Sequence, residues 1–258
     1  LYLHIPYCHE VCWYCGCNTG AANRSGRLAA YVHRLGEEID LIAHHLRGHG
    51  RVTRVAFGGG SPNALSPEQF EALAGRVRDA FACSDAVLSV ELDPRGFDAP
   101  WAEAMWRQGV TRASLGVQTF SPEIQAAIGR VQPAEHIART VSLLRGAGID
   151  SLNFDLMYGL PGQSAALLRD SIEQAIALRP ERLAVFGYAH VPHLLPRQRQ
   201  IDASALPDAQ TRFDQAVLSH GLLTSAGYEA VGFDHFALPH DALAVAARNG
   251  KLRRNFQG

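Results

Sequence analysis

Apolar, β-branched stretches recur along the chain and alternate with segments whose apolar residues are spaced three or four apart. The stretches predict strands, and the segments between them predict helices. The predicted strands are Leu1–Ile5, Val52–Phe57, Ala86–Leu92, Arg112–Val117, Leu152–Met157, Leu183–Tyr188 and a shorter one at Tyr228–Phe233. Six strand–helix units in regular alternation indicate an α/β fold whose parallel sheet curls into a partial or complete barrel.

Local signals place the helices between these strands. The first helix carries an apolar stripe from Leu28 to Leu46, and Ser66-Pro67-Glu68-Gln69 has the spacing of a capping box with proline in the first turn. The other helices are predicted at Pro100–Arg107, Ala134–Gly146, Ser164–Leu178 and Asp208–Ser225. We expect residues 1–258 to form one barrel domain, with the six units in residues 1–190 and the start of an additional region in residues 191–258.

Composition and charge argue against several classes of function. The 258 residues are 47% hydrophobic and 19% charged, which suits a large folded core. The formal net charge of -1 shows no basic excess, so we expect no nucleic-acid partner. Lys251 is the single lysine, which argues against a P-loop and against a Schiff-base enzyme. No apolar run is long enough to predict a membrane span.

The ends of the chain suggest a piece of a longer protein. It begins with Leu1 rather than Met and ends at Gly258 within a polar segment. No signal peptide is recognised at its start. We therefore expect an excerpt that lacks an N-terminal arm and a C-terminal domain.

Most of the cysteines lie in one short segment near the start of the chain. Cys8-x3-Cys12-x2-Cys15 supplies three thiolates from one loop, whereas secreted disulfide-rich domains spread their cysteines along the chain. Three thiolates suit a [4Fe-4S] cluster with one open iron. A structural zinc site with Cys17 as the fourth ligand is the alternative. Cys83 stands alone and is expected to be a buried, inert thiol.

Polar or glycine residues stand at the ends of the predicted strands, where barrels of this kind place their active sites. Gly58-Gly59-Gly60 follows the second strand, and consecutive glycines allow a close approach of backbone to ligand, although a flexible turn is the alternative. Glu91, Gln118 and Asp155 stand at later strand ends, and each could instead cap a helix. We expect Asp155, flanked by apolar residues, to contact a ligand hydroxyl such as that of a ribose.

The motifs together resemble a known family. Cys-x3-Cys-x2-Cys with Tyr14 before the third cysteine is the signature of radical S-adenosylmethionine (SAM) enzymes. The longer pattern resembles the oxygen-independent coproporphyrinogen III oxidases of that superfamily. It comprises Tyr2-Leu3-His4-Ile5-Pro6-Tyr7-Cys8, Cys15-Gly16-Cys17-Asn18, Gly58-Gly59-Gly60-Ser61-Pro62, Glu91-Leu92-Asp93-Pro94-Arg95, Gly116-Val117-Gln118, Asp155-Leu156-Met157-Tyr158-Gly159-Leu160-Pro161, Tyr188-Ala189-His190-Val191-Pro192, Asp234-His235-Phe236 and Arg254-Asn255-Phe256-Gln257-Gly258.

The resemblance implies a radical SAM partial TIM-like (β/α)6 barrel with extra elements at its C-terminal end. It also implies a [4Fe-4S] cluster with three cysteine ligands and two molecules of SAM. One electron would cleave the cluster-bound SAM to methionine and a 5′-deoxyadenosyl radical, which abstracts hydrogen from a propionate of coproporphyrinogen III. Loss of carbon dioxide and an electron leaves a vinyl group, and a second round gives protoporphyrinogen IX, as in haem biosynthesis.

The resemblance also assigns site residues by their position in the motifs. The cluster ligands would be Cys8, Cys12 and Cys15, whereas Cys17 belongs to the pattern but not to the ligand set. Contacts to the cluster-bound SAM would come from Tyr2, Gly59 and Glu91. Contacts to the second SAM would come from Tyr14, Gly60, Ser61, Gln118, Arg130, Asp155 and Ala189. Catalytic roles near the cluster would fall to Tyr2 and to His4, a proton or hydrogen-bond partner.

The sequence departs from the family pattern at a few of these positions. Tyr7 and Tyr14 stand where phenylalanine is common, and Ser61 stands where threonine is common. Thr119 follows Gln118 where the family usually carries aspartate. The first three changes preserve the aromatic ring or the hydroxyl group.

The resemblance implies coproporphyrinogen III as substrate, flavodoxin or ferredoxin as electron donor, a monomer and a cytoplasmic location. A haem-binding chaperone on the same barrel and a related haem-modifying radical SAM enzyme are the alternatives. Gly16-Cys17-Asn18 and Tyr188-Ala189-His190 favour the oxidase over the chaperone.

Two groups of basic side chains remain outside these motifs or at their margin. The histidines near the end of the first helix are expected to be solvated rather than metal ligands: His44, His45 and His49. The arginines that could meet substrate carboxylates, by charge alone, are Arg197, Arg199, Arg253 and Arg254.

Overall fold

The structure, a computed structural model, describes residues 1–23 and 25–253. Its strands are β1 (Tyr2–Ile5), β2 (Tyr7–Cys8), β3 (Gly20–Ala21), β4 (Arg54–Gly59), β5 (Val87–Leu92), β6 (Val110–Gln118), β7 (Ser151–Tyr158), β8 (Arg182–Gly187), β9 (Glu229–Ala230) and β10 (His235–Ala237). Its α-helices are α1 (Ser25–Leu46), α2 (Pro67–Phe81), α3 (Ala99–Arg107), α4 (Pro122–Ala127), α5 (Ala134–Gly146), α6 (Ala165–Ala177), α7 (Ala209–Ser225) and α8 (Ala242–Arg248). The chain forms two compact units, one of Leu1–Leu115 with Glu135–Asp150 and one of Gly116–Ala134 with Ser151–Gly258.

The first unit is built on a parallel sheet. β4 pairs with β1 on one side and with β5 on the other, and β5 pairs with the start of β6. Because these strands run in one direction, their carboxyl ends lie along one edge of the sheet, with Ile5 opposite Gly59. Leu3 and Ile5 of β1 are buried, whereas Tyr2 and His4 between them are half-buried and belong to the opposite face. Tyr2 and His4 therefore lie on the face of the sheet opposite to the buried Leu3 and Ile5.

Sequence signals fix the helices of this unit. The Ser66 hydroxyl accepts from the amide of Gln69, and the Gln69 side chain accepts from the amide of Ser66, so the predicted capping box of α2 is confirmed. The apolar residues of α2 predicted to face inward are buried: Phe70, Leu73 and Val77. The Phe70 ring packs against Phe57 of β4 and Trp101 of α3, with ring centroids 5.1 and 5.0 Å apart. Helix α2 is thereby anchored to the sheet below it.

The second unit contains parallel and antiparallel strands. β7 pairs in parallel with β8, from Asn153 opposite Arg182 to Tyr158 opposite Gly187. β10 pairs antiparallel with β8 and with β9. Helix α7 begins after Asp208, whose carboxylate accepts a hydrogen bond from a backbone amide in the first turn. None of the helices in the described part of the chain has the length and apolar character needed to cross a bilayer.

The six main strands agree with their predicted positions to within a few residues, but the seventh does not. The predicted strand at Tyr228–Phe233 is wrong in extent, because β9 ends at Ala230 and the chain then turns back into β10. The amide of Val231 donates to the carbonyl of His235, which closes a tight loop around Phe233, a residue 95% exposed. Period-two alternation cannot distinguish such a hairpin loop from a continuing strand.

Two short helices were not predicted. Helices α4 and α8 have 6 and 7 residues, too few for a periodic pattern to stand out. Their start signals are nevertheless present in the sequence. Ser121 before Pro122 caps α4, and Asp241 caps α8 through the amide of Leu243.

Candidate cofactor site

A closed loop presents the four clustered cysteines. β2 pairs in parallel with β3, so Tyr7 lies opposite Gly20 and Cys8 lies opposite Ala21, with the other three cysteines between the two strands. None of the four forms a disulfide. The amide of Cys15 donates to the carbonyl of Cys12 at 3.4 Å, which forms a turn between the second and third cysteines.

Each sulfur of the three-cysteine motif has a hydrogen-bonding neighbour. The Cys8 sulfur lies 3.3 Å from the hydroxyl of Thr19, and the Cys15 sulfur accepts from the amide of Cys17 at 3.3 Å. The Cys12 sulfur accepts from the guanidinium of Arg95 at 3.4 Å. Donors to ligand sulfurs are typical of metal-thiolate sites, where they orient the ligands and tune the metal.

The thiols influence one another electrostatically. Burial is the main cause that raises the pKa of Cys8, and the nearby Cys15 and Cys12 raise it further. A hydrogen bond to the Cys15 sulfur, followed by burial, raises the pKa of Cys17. The raised pKa keeps Cys17 protonated beside the Cys15 sulfur, and its place outside the ligand set stays a prediction.

Tyr2 and His4 of β1 form a hydrogen-bonded chain beside this loop. The Nε2 atom of His4 lies 3.0 Å from the carbonyl of Asn18, which can only accept, so Nε2 carries the proton in this pairing. Nδ1 is then an acceptor, and the Tyr2 hydroxyl donates to it across 3.2 Å. Burial, followed by the charge of Glu91, raises the pKa of Tyr2 to about 12. The phenol therefore stays protonated and its oxygen is held in place.

The glycine run is packed against the protein's own groups. β4 continues through Gly58 and Gly59, rather than ending before them. A Cβ atom on Gly58 would lie 2.5 Å from the Glu91 carboxylate, and one on Gly59 would lie 2.8 Å from the His4 ring. Gly59 also has φ +115°, a conformation that favours glycine. Neither position is a flexible turn.

Gly60 packs against the cysteine loop itself. A Cβ there would meet the Thr19 hydroxyl and would lie 2.6 Å from the carbonyl of Tyr7. The amide of Gly60 donates to Ile5, and the amide of Ser61 donates to Tyr7. This backbone cradle, which a side chain would fill, holds the loop against the carboxyl ends of β1 and β4.

Glu91 at the end of β5 faces the glycines and does not cap a helix. Its carboxylate accepts from the amide of Gly59 at 3.2 Å. Although the residue is exposed, the surrounding protein removes the carboxylate from water and raises its pKa, while the hydrogen bond from the Gly59 amide opposes this shift. A carboxylate with a raised pKa in such surroundings is a candidate functional group.

The sequence did not single out several residues that complete this site. Arg95 and Asp93, which are partly buried, form a polar network with the buried Asn63 beside the loop. The Tyr31 hydroxyl donates to the carbonyl of His4 at 2.5 Å. The network lines a cavity of about 190 Å³ together with Ser61. Asp93 and Arg95 lie in the motif after Glu91, and that position was the only signal for them.

The second unit holds the remaining predicted contacts, beginning at the end of β6. Gln118 has φ 64°, a left-handed conformation that is unfavourable for glutamine. The buried Arg130 donates to the carbonyl of Gly116 at 2.6 Å. Gln132, fully buried beside them, also donates to Gly116 and Val117, yet within the described residues its side-chain oxygen has no hydrogen-bond partner. An orphaned buried acceptor is one that a ligand or water would satisfy.

Two other predicted positions of this unit lie on β7 and after β8. The Asp155 carboxylate accepts from the side chain of Asn153 at 2.8 Å and caps no helix. Ala189 is exposed, and its carbonyl accepts from Gln198 at 3.1 Å. Next to it, the Tyr188 hydroxyl lies 2.8 Å from Nδ1 of His190, the same arrangement as Tyr2 and His4.

The histidines, the lone cysteine and the arginines singled out in the sequence lie outside the site described above, or outside the described residues. His44 and His45 occupy the last turn of α1, where cations interact favourably with the helix dipole. Cys83 is buried, as predicted, and its burial raises its pKa. Of the candidate arginines for substrate carboxylates, Arg254 lies outside the described residues, as does the motif that it begins.

The donor set fits an iron–sulfur cluster. Cys8, Cys12 and Cys15 form no disulfide, and they lie in one loop held by a glycine cradle. Within the described ranges, no three Cys, His, Asp or Glu side chains have the close spacing that a single metal ion requires. Thiolates are soft donors, and three of them supplied by one loop suit an iron–sulfur cluster.

The fold and the cysteine loop define a class of protein. The family model for the radical SAM superfamily matches residues 2–175, and the chain belongs to that superfamily. Membership implies a [4Fe-4S] cluster and SAM as cofactors. The fold class and the resemblance predicted from the motifs are thereby confirmed.

More specific similarities extend over the whole chain. It is 48% identical to the oxygen-independent coproporphyrinogen III oxidase of Bradyrhizobium diazoefficiens, over 100% of the chain and 58% of that protein. It is 44% identical to the anaerobic coproporphyrinogen III oxidase 1 of Cereibacter sphaeroides, over 100% of the chain and 57% of that protein. The structure of HemN, the coproporphyrinogen III oxidase of Escherichia coli described as a radical SAM enzyme, matches with a TM-score of 0.96 and 38% identity, over 100% of the chain and 59% of HemN. The chain thus spans less than three fifths of each of these proteins.

Proposed function

We propose that the protein carrying this chain is an oxygen-independent coproporphyrinogen III oxidase. It would convert two propionate side chains of coproporphyrinogen III to vinyl groups and so form protoporphyrinogen IX. The observation that carries this proposal is the similarity of the complete chain to HemN, with a TM-score of 0.96 and 38% identity. The polar groups at the strand ends support it, because they are placed as a cofactor-binding edge requires.

We propose Cys8, Cys12 and Cys15 as the cluster ligands. When bound, the cluster and SAM supply the one-electron chemistry that generates a radical able to remove hydrogen from a propionate. The support from this chain is three cysteines in one loop, none of them in a disulfide and each sulfur near a hydrogen-bonding group. Cys17 would remain protonated and donate to the sulfur of Cys15.

The residues around the loop would bind and orient SAM. Glu91 would hold its amino group, since the carboxylate is oriented by the amide of Gly59. Tyr2 would present a phenol oxygen fixed by His4, whose other ring nitrogen is committed to Asn18. The Gly59 backbone would lie against the same ligand.

We also propose contacts to a second SAM molecule in each unit. In the first unit they are Tyr14, Gly60 and Ser61. In the second unit they are Gln118, Arg130, Asp155 and Ala189. The left-handed conformation of Gln118 and the orphaned oxygen near Arg130 support the second group, because such costs are typical of ligand sites.

The remaining expectations about the whole protein are proposals of the same kind. Flavodoxin or ferredoxin would supply electrons, the protein would act as a monomer, and it would be cytoplasmic. Coproporphyrinogen III would be its small-molecule partner.

Product analysis with the full-length protein tests the proposal. The protein is reconstituted with iron and sulfide without oxygen, then given SAM, a reductant and coproporphyrinogen III. We expect a vinyl-bearing porphyrinogen together with 5′-deoxyadenosine. Tight haem binding without decarboxylation would contradict the oxidase and favour a haem chaperone.

Replacement of a proposed ligand tests the cysteine assignment in the same assay. We expect Cys12→Ala to lose the cluster absorbance and SAM cleavage together, since two thiolates cannot hold the cluster. Cys83→Ala is the matched control, because it removes a buried thiol outside the loop and should preserve both signals. SAM cleavage by Cys12→Ala at the unsubstituted rate would mean that the ligands are misassigned.

A further inference from the structure

The side chain of Arg95 joins the end of β5 to the cysteine loop. Its Nη2 donates to the Cys12 sulfur at 3.4 Å, and its Nη1 donates to the Glu10 carboxylate at 2.6 Å. Nη2 also lies 3.4 Å from the backbone carbonyl of Glu10. The Arg95 side chain is only 11% exposed, so its interaction with the Cys12 sulfur is partly shielded from water, whereas the Glu10 side chain is 70% exposed.

Asp93 holds the guanidinium in this orientation. One carboxylate oxygen accepts from Nε of Arg95 at 3.0 Å and the other accepts from Nη2 at 2.6 Å, which makes the pair bidentate. Asp93 is itself fixed through its backbone, because its amide donates to Asn63 and its carbonyl accepts from Asn63. The Ser61 hydroxyl donates to the same Asn63 side chain at 2.5 Å. The donor to Cys12 is therefore pre-organised by two strand ends.

We propose that Arg95 is a positioning residue that fixes Cys12 and raises the reduction potential of the cluster; this inference rests on the proposed cluster binding. Hydrogen bonds and positive charge near a ligand sulfur stabilise the more negative, reduced form. Asp93 acts in the opposite sense, and Arg95 shields its charge from the sulfur. Arginine suits this role because its fork serves Asp93, Glu10 and Cys12 at once.

The reduction that this network influences is a one-electron step. A single electron enters from an external reductant, dithionite in the test below, and the site becomes more negative by one charge. Arg95 remains protonated throughout, and no proton is transferred. The contribution of Arg95 to the reduction potential is the difference between its interaction free energies with the oxidised and the reduced cluster.

A redox titration of the reconstituted full-length protein tests this proposal. Iron and sulfide per chain are measured first, and the reduced cluster is then followed by electron paramagnetic resonance against dithionite. In Arg95→Gln we expect the ratio of reduced to oxidised cluster at a fixed potential to fall about tenfold, equivalent to about 59 mV for one electron. In Asp93→Asn we expect the ratio to rise, since the opposing charge is removed and the backbone bonds to Asn63 remain.

Matched variants make the outcome specific. Arg107→Gln removes an arginine that pairs with Glu71 and Glu103 on the surface, and it should leave the ratio unchanged. If Arg95→Gln fails to bind iron, Arg95→Lys replaces it in the test. Lysine keeps the positive charge but lacks the branched guanidinium, so we expect the ratio of reduced to oxidised cluster at the same potential to fall by more than twofold. Potentials equal to that of the unsubstituted protein in the Arg95 and Asp93 variants would overturn the inference. Failure of the unsubstituted protein to bind iron and sulfide would instead overturn the proposed function.

Discussion

Two residues of the site are held in states that cost free energy. Gln118 has φ 64°, and partial removal from water raises the pKa of Glu91, so its charged form is disfavoured. Their concentration at strand ends is what a ligand site produces, because the ligand offsets costs that the fold alone does not.

Glu91 gives a prediction with a defined pH dependence. The pKa of Glu91 in the folded protein is above its value in the unfolded chain, so between these two pKa values the folded chain binds more protons than the unfolded one. The cofactor-free protein therefore loses stability as the pH rises through this range. We expect Glu91→Gln to be free of this loss and to have a higher Tm than the unsubstituted protein at pH 7, with the difference shrinking towards pH 4. Thermal unfolding at several pH values measures this.

The same variant should bind SAM more weakly, because glutamine carries no charge to meet the amino group. Glu103→Gln, on the surface of α3, is the control and should change neither property. An unchanged Tm difference across the pH range would contradict the interpretation of Glu91. Unchanged SAM affinity would remove Glu91 from the proposed ligand contacts.

The sequence predicted some of these residues and not others, for a physical reason. Strand position indicated Glu91, and the resemblance of the opening motif to the family assigned roles to Tyr2 and His4. The bond from Arg95 to Cys12 joins residues 83 positions apart, and only the folded chain brings them together. Local signals cannot report a contact of that separation.

Elements show the same division between local and non-local causes. The six main strands and α2 follow from periodicity and capping, which act within a few residues. The role of the glycines does not, because the groups that crowd Gly58 and Gly60 come from β5 and the cysteine loop. The predicted strand at Tyr228–Phe233 failed for a related reason, since pairing with β8 decides where β10 begins.

Gly60 offers a prediction at this scale. A methyl group there would lie 2.6 Å from the Tyr7 carbonyl, a backbone atom that cannot move aside easily. We expect Gly60→Ala to lower the free energy of unfolding by about 1–3 kcal/mol and to reduce iron uptake. Chemical denaturation of the cofactor-free protein and iron analysis after reconstitution measure the two effects.

Gly75 in the middle of α2 provides the matched control. A Cβ there has no heavy atom within 4 Å, and its position in a helix favours alanine. Gly75→Ala should therefore raise the free energy of unfolding by about 0.5–1 kcal/mol. Equal effects of the two substitutions would contradict the steric explanation of the glycine run.

At the scale of the whole molecule, the chain spans less than three fifths of the length of the relatives described above, with 59% of HemN covered. The two units, the cysteine loop and the strand-end groups lie within that part. The division into six units over residues 1–190 and an additional region over 191–258 stays a prediction. The expectation of an N-terminal arm and a C-terminal domain also stays a prediction, because both would lie outside the residues of this chain.

The central claim is that three thiolates hold a cluster with one open iron, to which SAM binds. Mössbauer spectroscopy of the full-length protein, reconstituted with iron-57 without oxygen, measures this most directly. We predict one iron site distinct from the other three, whose signal changes when SAM is added. Uptake of a single tetrahedral ion, or a cluster in which SAM alters no iron site, would contradict the account.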